Sequence, residues 1–349
     1  MAVTAVLEPR TINLALQGGG AHGAFTWGAL DRLLEEERLE IEGISGTSAG
    51  AMNAAILKTG LLYGGREGAR AQLDRFWGSI RQCAQANTNP TAEWLGLFFT
   101  DAARMLDKVM RERAYQLRDS FSRALSPYEW NPLNLNPLRD LLEEMIDFER
   151  VSWQSLPHLF FCATNVRTGK IRVFSREEIT IDALLASACL PDMFQAVEID
   201  GEHYWDGGYM GNPPLYPLFY RVGCRDVVIV HVNPIERPDV PQTARDIMNR
   251  INEISFNSSL LRELRAIAFV QRLIAEGRVL PGEMKNVLIH SIRDDATMAR
   301  FSASTKLSPE PREIDTLKEA GRAAADAFLR QHWASIGVES TVNLRAMLD

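Results

Sequence analysis

The amino-acid sequence predicts an α/β fold in which helices flank a mainly parallel central sheet, with a helical insertion and a helical C-terminal region. Three observations carry this prediction. A strand, a turn and a helix follow one another twice near the start of the chain, and strand-like runs return after a long helical stretch. Such alternation is typical of parallel sheets. The chain has 349 residues, of which 46% are hydrophobic and 24% charged, so it can bury a substantial core.

Two strand, turn and helix units open the chain. Residues 11–17 (TINLALQ) predict a short buried strand, and residues 24–37 have apolar side chains at helical spacing. Residues 41–45 predict a second strand, and the alanine-rich residues 49–59 a second helix. Because the carboxyl ends of parallel strands and the starts of the next helices gather at one edge of a sheet, we expect the two turns to meet there.

A helical insertion and then the rest of the sheet are predicted downstream. We interpret residues 61–150 as a mostly helical insertion or lid over the site. We expect a catalytic domain over residues 11–232, and over 233–349 a helical C-terminal extension packed on the core. Strand-like runs return at His158 to Asn165, Ile171 to Phe174, Val197 to Ile199, Asp226 to Val232 and Val287 to Ile292.

Composition narrows the class of partner and the compartment. The formal net charge is −7 and no run is rich in Lys and Arg, so we expect no nucleic-acid partner. The four cysteines lack metal-ligand spacing and form no disulfide framework, which fits a reducing compartment and a protein with no metal and no cofactor. No signal-peptide pattern opens the chain, and no apolar run approaches the ~18 residues of a membrane span, so we predict a cytoplasmic protein.

Two long amphipathic helices are predicted near the C-terminus, over residues 245–276 and 314–332. Helices of this kind normally face a core. We therefore expect them to pack on the catalytic domain or in a homodimer, with peripheral contact to a membrane surface as the alternative.

Three glycines, Gly18, Gly19 and Gly20, follow the first predicted strand. Without a Cβ the backbone can bring its N–H groups close to a ligand, and the start of the next helix favours negative charge, so the loop suits an oxyanion. Together with Gly23 the same letters also match the Gly-x-Gly-x-x-Gly dinucleotide fingerprint, and a structural tight turn is a further alternative. The fingerprint needs an acidic residue about 20 positions later, where this chain instead has Gly-Thr-Ser-Ala-Gly.

Ser48 stands between Gly46 and Gly50 in that Gly-x-Ser-x-Gly sequence, after a predicted strand and before a predicted helix. This arrangement places a serine hydroxyl on a strained turn at the sheet edge, where small neighbours leave room for a substrate. We interpret Ser48 as the nucleophile of an acyl hydrolase.

A base must accompany the serine, and an aspartate is the better candidate. None of the six histidines has a companion motif, although His231, near the end of a predicted strand, could complete a Ser-His-Asp triad. Asp206 precedes Gly207 and Gly208, which allow a tight turn and a close approach, and follows two aromatic residues that can desolvate the carboxylate. Desolvation raises a carboxyl pKa toward the range that suits a general base.

The order GGGxxG, GTSAG and DGG resembles the patatin-like phospholipase family, as does the Ala-Ser-rich block at residues 186–191, and the likeness covers most of residues 11–232. It implies a lipid acyl hydrolase with a Ser-Asp dyad on an α/β sheet. Ser48 would be the nucleophile, Asp206 the base and the Gly18 to Gly20 loop the oxyanion hole. The chain departs from the family at His22, where Arg or Lys is usual, and we expect a polar structural role for this residue.

The predicted reaction is therefore hydrolysis of a carboxylic ester through an acyl-enzyme, of phospholipase A, lysophospholipase or esterase type. A Ser-His-Asp esterase using His231 and a non-catalytic lipid-binding module are the alternatives. Phospholipid and related lipid esters come first as substrates by the family likeness, and a hydroxyalkanoate polyester is also compatible with an aromatic-rich cover.

Overall fold

A computed structural model describes residues 8–86, 126–151, 155–237, 239–280, 282–307 and 309–348. Its eight strands form one mixed sheet. The strands are β1 (Arg10–Leu16), β2 (Leu39–Gly46), β3 (His158–Asn165), β4 (Ile171–Ser175), β5 (Val197–Ile199), β6 (Glu202–Asp206), β7 (Asp226–Val230) and β8 (Leu288–Ile292).

The sheet has the order β5-β6-β3-β2-β1-β7-β8, and β4 pairs with β3 outside this path. The pairs β1 with β2, β1 with β7, β2 with β3 and β7 with β8 are parallel, whereas β4, β5 and β6 join by antiparallel pairs. The predicted α/β fold with a mainly parallel sheet is confirmed. In register, Leu16 pairs with Gly46 and Gly46 with Phe161, so the carboxyl ends of β1, β2 and β3 lie at one edge.

Helices cover both faces of this sheet. They are α1 (Gly23–Leu34), α2 (Ala49–Ala86), α3 (Pro127–Trp130), α4 (Pro137–Met145), α5 (Phe148–Val151), α6 (Ile181–Ser187), α7 (Tyr216–Tyr220), α8 (Ala244–Ala275), α9 (Asp295–Met298), α10 (Ala303–Leu307), α11 (Pro311–His332) and α12 (Leu344–Leu348).

Alternate residues of the central strands face two different cores, as the period of a strand requires. In β1, Ile12, Leu14 and Leu16 pack on the side of α1, α2 and α11, whereas Ala15 faces α7, α8 and α12. Because both faces are covered, the strands are apolar on both sides, which is why short apolar runs identified most of them in the sequence.

The helix after the serine motif is interrupted a few residues beyond its predicted end near residue 59. Gly64 and Gly65 leave the helical conformation, with a φ of +60° at Gly65, and a second helical half of α2 continues to Ala86 within the stretch predicted to be mostly helical. The chain reverses there, since a Cβ on Gly60 would lie 2.4 Å from the Cα of Ala69. The reversal depends on residues without side chains, which allow the two halves of α2 to touch.

Strand β6, which ends at Asp206, was not predicted, because its sequence EHYWD is polar. Only alternate residues are buried, Tyr204 and Asp206, while His203 and Trp205 keep partial exposure. The strand runs antiparallel to β3, where Asp206 pairs with Ala163. A half-buried strand is usually predicted from alternating apolar and polar residues. Here a buried position carries a carboxylate, so that alternation is absent and the strand was not predicted.

The C-terminal region supplies a strand as well as helices. β8 extends the sheet beside β7, and α11 packs along α1. In α8, Leu264 and Ile267 are buried, whereas Ile247 and Ile251 are exposed. The divisions at residues 61, 150 and 232 stay predictions, and residues 87–125 of the expected insertion lie outside the described part of the chain.

Close contact between α1 and α11 depends on two glycines. A Cβ on Gly28 would lie 1.9 Å from the carbonyl oxygen of Lys318, and a Cβ on Gly321 would lie 1.9 Å from that of Phe25. Real side chains essentially never approach a backbone oxygen so closely, so an alanine at either position would push the helices apart.

We therefore expect Gly321→Ala to lower the free energy of unfolding by roughly 1–3 kcal/mol, the usual cost of overpacking. Gly78→Ala is the matched control, because Gly78 is also helical, and among the described residues outside its own stretch of helix no atom lies within 4 Å of its added Cβ. The control should gain about 0.5–1 kcal/mol from the better helix former. Urea denaturation of the three proteins measures both values, and equal stability of the two variants would contradict the tight helix contact.

Candidate active site

Ser48 lies on a strained turn between β2 and α2. Its φ is 53°, a left-handed conformation that is uncommon for a residue with a side chain. The flanking glycines are required by space, since a Cβ on Gly46 would lie 2.7 Å from the amide nitrogen of Ala51, and one on Gly50 would lie 2.2 Å from the carbonyl oxygen of Leu16. We refer to this turn as the elbow, and Ser48 is partly exposed on it.

The glycine loop passes directly beside this elbow. A Cβ on Gly18 would lie 2.8 Å from the carbonyl oxygen of Thr47 and 2.9 Å from the Cβ of Ser48. Gly20 has a φ of +56°, which favours glycine, and opens a 3-10 turn that leads through His22 into α1. The sheet register therefore brings the two sequence motifs together, as the sequence predicts.

Asp206 is within hydrogen-bond reach of Ser48, although 158 positions separate them. The carboxylate is only 1% exposed and accepts the N–H of Gly208 at 2.7 Å. Burial raises the pKa of Asp206 to about 7, against the opposing effects of the Gly208 N–H, Ser48 and the charge of Lys306. A carboxyl group with a pKa near 7 can exchange protons at neutral pH.

The loop after Asp206 is tied to both other motifs by side chains. Thr47 donates its hydroxyl to the carbonyl oxygen of Gly211 at 2.7 Å, and Ser45 donates to that of Pro214 at 2.6 Å. Asn212 accepts the N–H of Gly18 at 2.6 Å through its side-chain oxygen. The turn that carries Ser48, the loop after Asp206 and the glycine loop are thus joined by one network of buried hydrogen bonds.

Two residues of this network were not identified from the sequence as functional. Asn212 accepts the N–H of Gly18, so this N–H is already engaged within the protein. Ser187, from the Ala-Ser-rich block, accepts the backbone N–H of Ser48 at 2.9 Å. Ser187 lies inside the block at residues 186–191 that the family likeness had marked, whereas Asn212 lies outside the marked blocks, and nothing local indicated the partner of either residue.

His22 is buried under the C-terminal region. Its Nε2 lies 2.7 Å from the hydroxyl of Thr305, and its ring meets Phe301 edge-on at 5.7 Å between centroids. Burial first, and then the charges of Lys306 and Arg237, hold the pKa of His22 well below its usual range. The imidazole is therefore neutral at pH 7 and takes part in packing and in a hydrogen bond to α10.

His231 does not have the environment of a triad histidine. Its side chain is buried, burial lowers its pKa to about 3, and its Nδ1 has no hydrogen-bond partner in the described part of the chain. A triad base needs a carboxylate on that nitrogen. Asp226, the aspartate at the start of the same strand, instead binds Nε2 of His290 at 2.9 Å.

Residues beyond position 232 also border the site. Asn233 donates its side-chain N–H to the carbonyl oxygen of Gly18 at 2.9 Å, and Lys306 donates to the side-chain oxygen of Asn233 at 2.6 Å. Sequence analysis identified neither residue. Within the described ranges, no three His, Cys, Asp or Glu side chains converge as metal ligands would.

Comparison with known proteins adds the family. Among solved structures, VipD from Legionella pneumophila is 16% identical, with 93% of this chain and 67% of that chain covered and a TM-score of 0.41. The ExoU-SpcU complex of the type III secretion system of Pseudomonas aeruginosa is 18% identical, with 98% and 75% covered and a TM-score of 0.34. No curated protein matches. The family model of patatin-like phospholipase matches residues 14–219, more than half of the chain and all three motifs. The chain belongs to the patatin-like phospholipase family.

Proposed function

We propose that this protein hydrolyses carboxylic esters of lipids, with Ser48 as nucleophile and Asp206 as general base. Membership of the patatin-like phospholipase family supports lipid hydrolase activity. The observation that carries the mechanism is that the buried Asp206 carboxylate lies within hydrogen-bond reach of a serine held on a strained elbow. Such a pair can activate the hydroxyl without an imidazole.

In the acylation half, the Oγ of Ser48 attacks the ester carbonyl carbon while Asp206 takes the hydroxyl proton. The carbonyl oxygen becomes an oxyanion, which the N–H groups of Gly19 and Gly20 stabilise. The tetrahedral intermediate then breaks the bond to the alcohol oxygen. Asp206 returns its proton to that oxygen, so that the free alcohol leaves and the acyl group stays on Ser48.

In the deacylation half, water attacks the acyl-enzyme and Asp206 takes one of its protons. The second tetrahedral intermediate collapses, the Ser48 oxygen leaves and recovers the proton from Asp206, and the carboxylic acid is released. One carboxyl group thus acts as base and acid in turn, which requires a pKa near the working pH. The pKa of Asp206, raised by burial to about 7, meets that requirement.

An exposed apolar surface beside the Asp206 turn supports a lipid as the ester. Tyr209 contacts Phe256 of α8 with 5.8 Å between ring centroids, and the preceding turns of α8 expose Ile247, Ile251 and Ile254. We propose that this surface makes peripheral contact with lipid, since exposed apolar groups clustered beside a site mark interaction surfaces. None of the helices in the described ranges is long and apolar enough to cross a membrane.

Phospholipid and lysophospholipid esters come first among the proposed substrates, with hydroxyalkanoate polyester as the substrate alternative. A triad using His231 and a non-catalytic lipid-binding module remain the competing functions. The unpaired Nδ1 of His231 disfavours the first, and the contact of Ser48 with Asp206 disfavours the second.

A labelled fluorophosphonate, which modifies activated serines, tests the dyad. We expect labelling and ester hydrolysis in the wild type, none in Ser48→Ala, and a rate at least ~10²-fold lower in Asp206→Asn, because general-base catalysis contributes about that much or more. His231→Ala should keep its labelling rate if its melting temperature is unchanged. Normal labelling of Asp206→Asn together with loss in a folded His231→Ala would establish the triad instead. Absence of both labelling and turnover in the wild type would refute the proposal that the protein is an ester hydrolase.

The pH dependence of kcat/KM tests the raised pKa. Asp206 must be ionised to accept the serine proton, so activity should rise with pH to a limb near 7 and fall below it about tenfold per pH unit. An ordinary aspartate, with a pKa of about 3.9, would place this limb about three units lower. Hydrolysis of an uncharged nitrophenyl ester from pH 4 to 9 measures it, and a limb near 4 would be incompatible with a desolvated base.

Burial of Asp206 should also cost stability. Because its folded pKa is raised, its contribution to stability is greatest below the unfolded pKa of ~3.9 and is lost as the pH rises to the folded value. The neutral Asp206→Asn keeps the acceptor for Gly208 and avoids this loss. We expect the gain in unfolding free energy to be about 2–3 kcal/mol larger at pH 8 than at pH 5. Urea denaturation at both values decides it, and a gain that does not depend on pH would contradict the raised pKa.

A further inference from the structure

Helix α10 lies directly on the glycine loop, although it begins 95 positions after Gly208, the last residue of the third motif. Thr305 contacts His22, and the backbone of Lys306 is so close to Gly20 that a Cβ there would lie 2.4 Å from the Lys306 carbonyl oxygen. Phe301, just before the helix, packs edge-on against His22. The contact is therefore built from a hydrogen bond, an aromatic pair and a backbone approach that only glycine permits.

The ammonium group of Lys306 lies between the glycine loop and the Asp206 turn. On one side it donates to Asn233 at 2.6 Å, and Asn233 in turn donates to the carbonyl oxygen of Gly18 at 2.9 Å. On the other side it lies 5.8 Å from the ring centroid of Phe256. That ring packs on Gly208, where a Cβ would lie 2.2 Å from a ring carbon. One side chain thus touches the supports of both halves of the site.

Two carboxylates face this ammonium, and one of them is already neutralised. Glu253 forms ion pairs with Arg237 and with Arg250, the latter at 3.1 Å. For Asp206, Lys306 is the one cation among the described residues whose charge lowers the pKa against the effect of burial. Around Asp206, burial raises the pKa of Tyr209 and of Cys189 to about 12, so these groups are neutral at pH 7. Cys162, whose pKa burial also raises, is neutral as well.

We propose that Lys306 is the positioning cation of the active site: it fixes the glycine loop through Asn233 and favours the ionised form of Asp206. This inference rests on the proposed ester hydrolysis. In the described hydrogen bonds Lys306 binds Asn233 rather than Ser48 or Asp206, so it acts through Asn233 and through its electric field. When Asp206 takes the serine proton, the carboxyl group becomes neutral and the negative charge moves to the oxyanion. The positive charge of Lys306 then stabilises that oxyanion.

Loss of the positive charge of Lys306 at high pH adds an alkaline limb to the pH dependence of activity. Burial, with the charge of Arg237, lowers the pKa of Lys306 to about 8, while Glu253 and Asp206 oppose this shift. His22 is neutral in this range and adds no charge. The positive charge is therefore present at neutral pH and is lost as the pH rises through about 8. Above that pH the site keeps its base but loses its cation.

Substitution of Lys306 separates position from charge. Lys306→Met keeps the length of the side chain without the charge, and Lys306→Arg keeps a charge that does not titrate below pH 12. In the methionine variant we expect kcat to fall ~10- to 100-fold with KM changed less than about threefold, because a misplaced oxyanion loop loses rate rather than binding. Its acidic limb should move up by ~1 pH unit, since Asp206 loses a nearby positive charge.

The arginine variant should recover most of kcat and lose the decline above pH 8. Lys170→Met is the matched control, because Lys170 is an exposed lysine away from the site, and it should behave as wild type. Melting temperatures establish that the variants are folded. If Lys306→Met does not fold, the alkaline limb of Lys306→Arg alone decides.

Three outcomes would overturn the inference. A folded Lys306→Met with kcat within twofold of wild type and unchanged limbs would refute it while the proposed hydrolysis stands, provided that Ser48→Ala is inactive. An alkaline limb that persists unchanged in Lys306→Arg would refute it as well. A wild type that neither hydrolyses esters nor reacts with a fluorophosphonate would refute the proposed function and this inference together.

Discussion

The loop from Gly211 to Pro214 is the constraint on which the rest of the site depends. It accepts hydrogen bonds from Ser45 and Thr47 on the strand that leads into the serine, and its Asn212 accepts the N–H of Gly18. A serine with positive φ costs free energy of the order of 1–3 kcal/mol and persists only where the surroundings fix it. These buried hydrogen bonds supply that fixation, and they make the position of Asp206 depend on the same elements that strain Ser48.

Glycines permit this convergence because three backbones meet where side chains would collide. The carbonyl oxygen of Leu16 occupies the place of a side chain at Gly50, the elbow occupies that of Gly18, and α10 occupies that of Gly20. The sequence shows these positions directly, because a close approach between backbones tolerates only glycine and so determines the residue type at the position itself. The same reasoning explains why the strands were predicted, since a sheet covered on both faces needs continuous apolar runs.

Contacts between residues that are distant in the sequence could not be predicted in this way. Nothing near Asn212 indicates that its side chain would take the N–H of Gly18, and so remove one of the three expected oxyanion donors, because the partner is 194 positions away. Strand β6 was missed because its buried face carries a tyrosine and a carboxylate. Sequence patterns report the residue's own backbone and burial, whereas these features depend on partners that only folding brings near.

The balance of charge at the site joins the C-terminal region to the chemistry. A carboxylate that is 1% exposed is expensive to ionise, and a base must nevertheless be ionised to act. Water would screen the electric field of a fully solvated cation, and a carboxylate paired with the cation would cancel most of that field at Asp206. Lys306 avoids both limits, because Arg237 and Arg250 neutralise Glu253 and only the neutral Asn233 binds the ammonium in the described hydrogen bonds. Lys306 lies beyond the residues 14–219 of the family match, so we propose that the motifs place the reacting groups and that the following region adjusts their proton affinity.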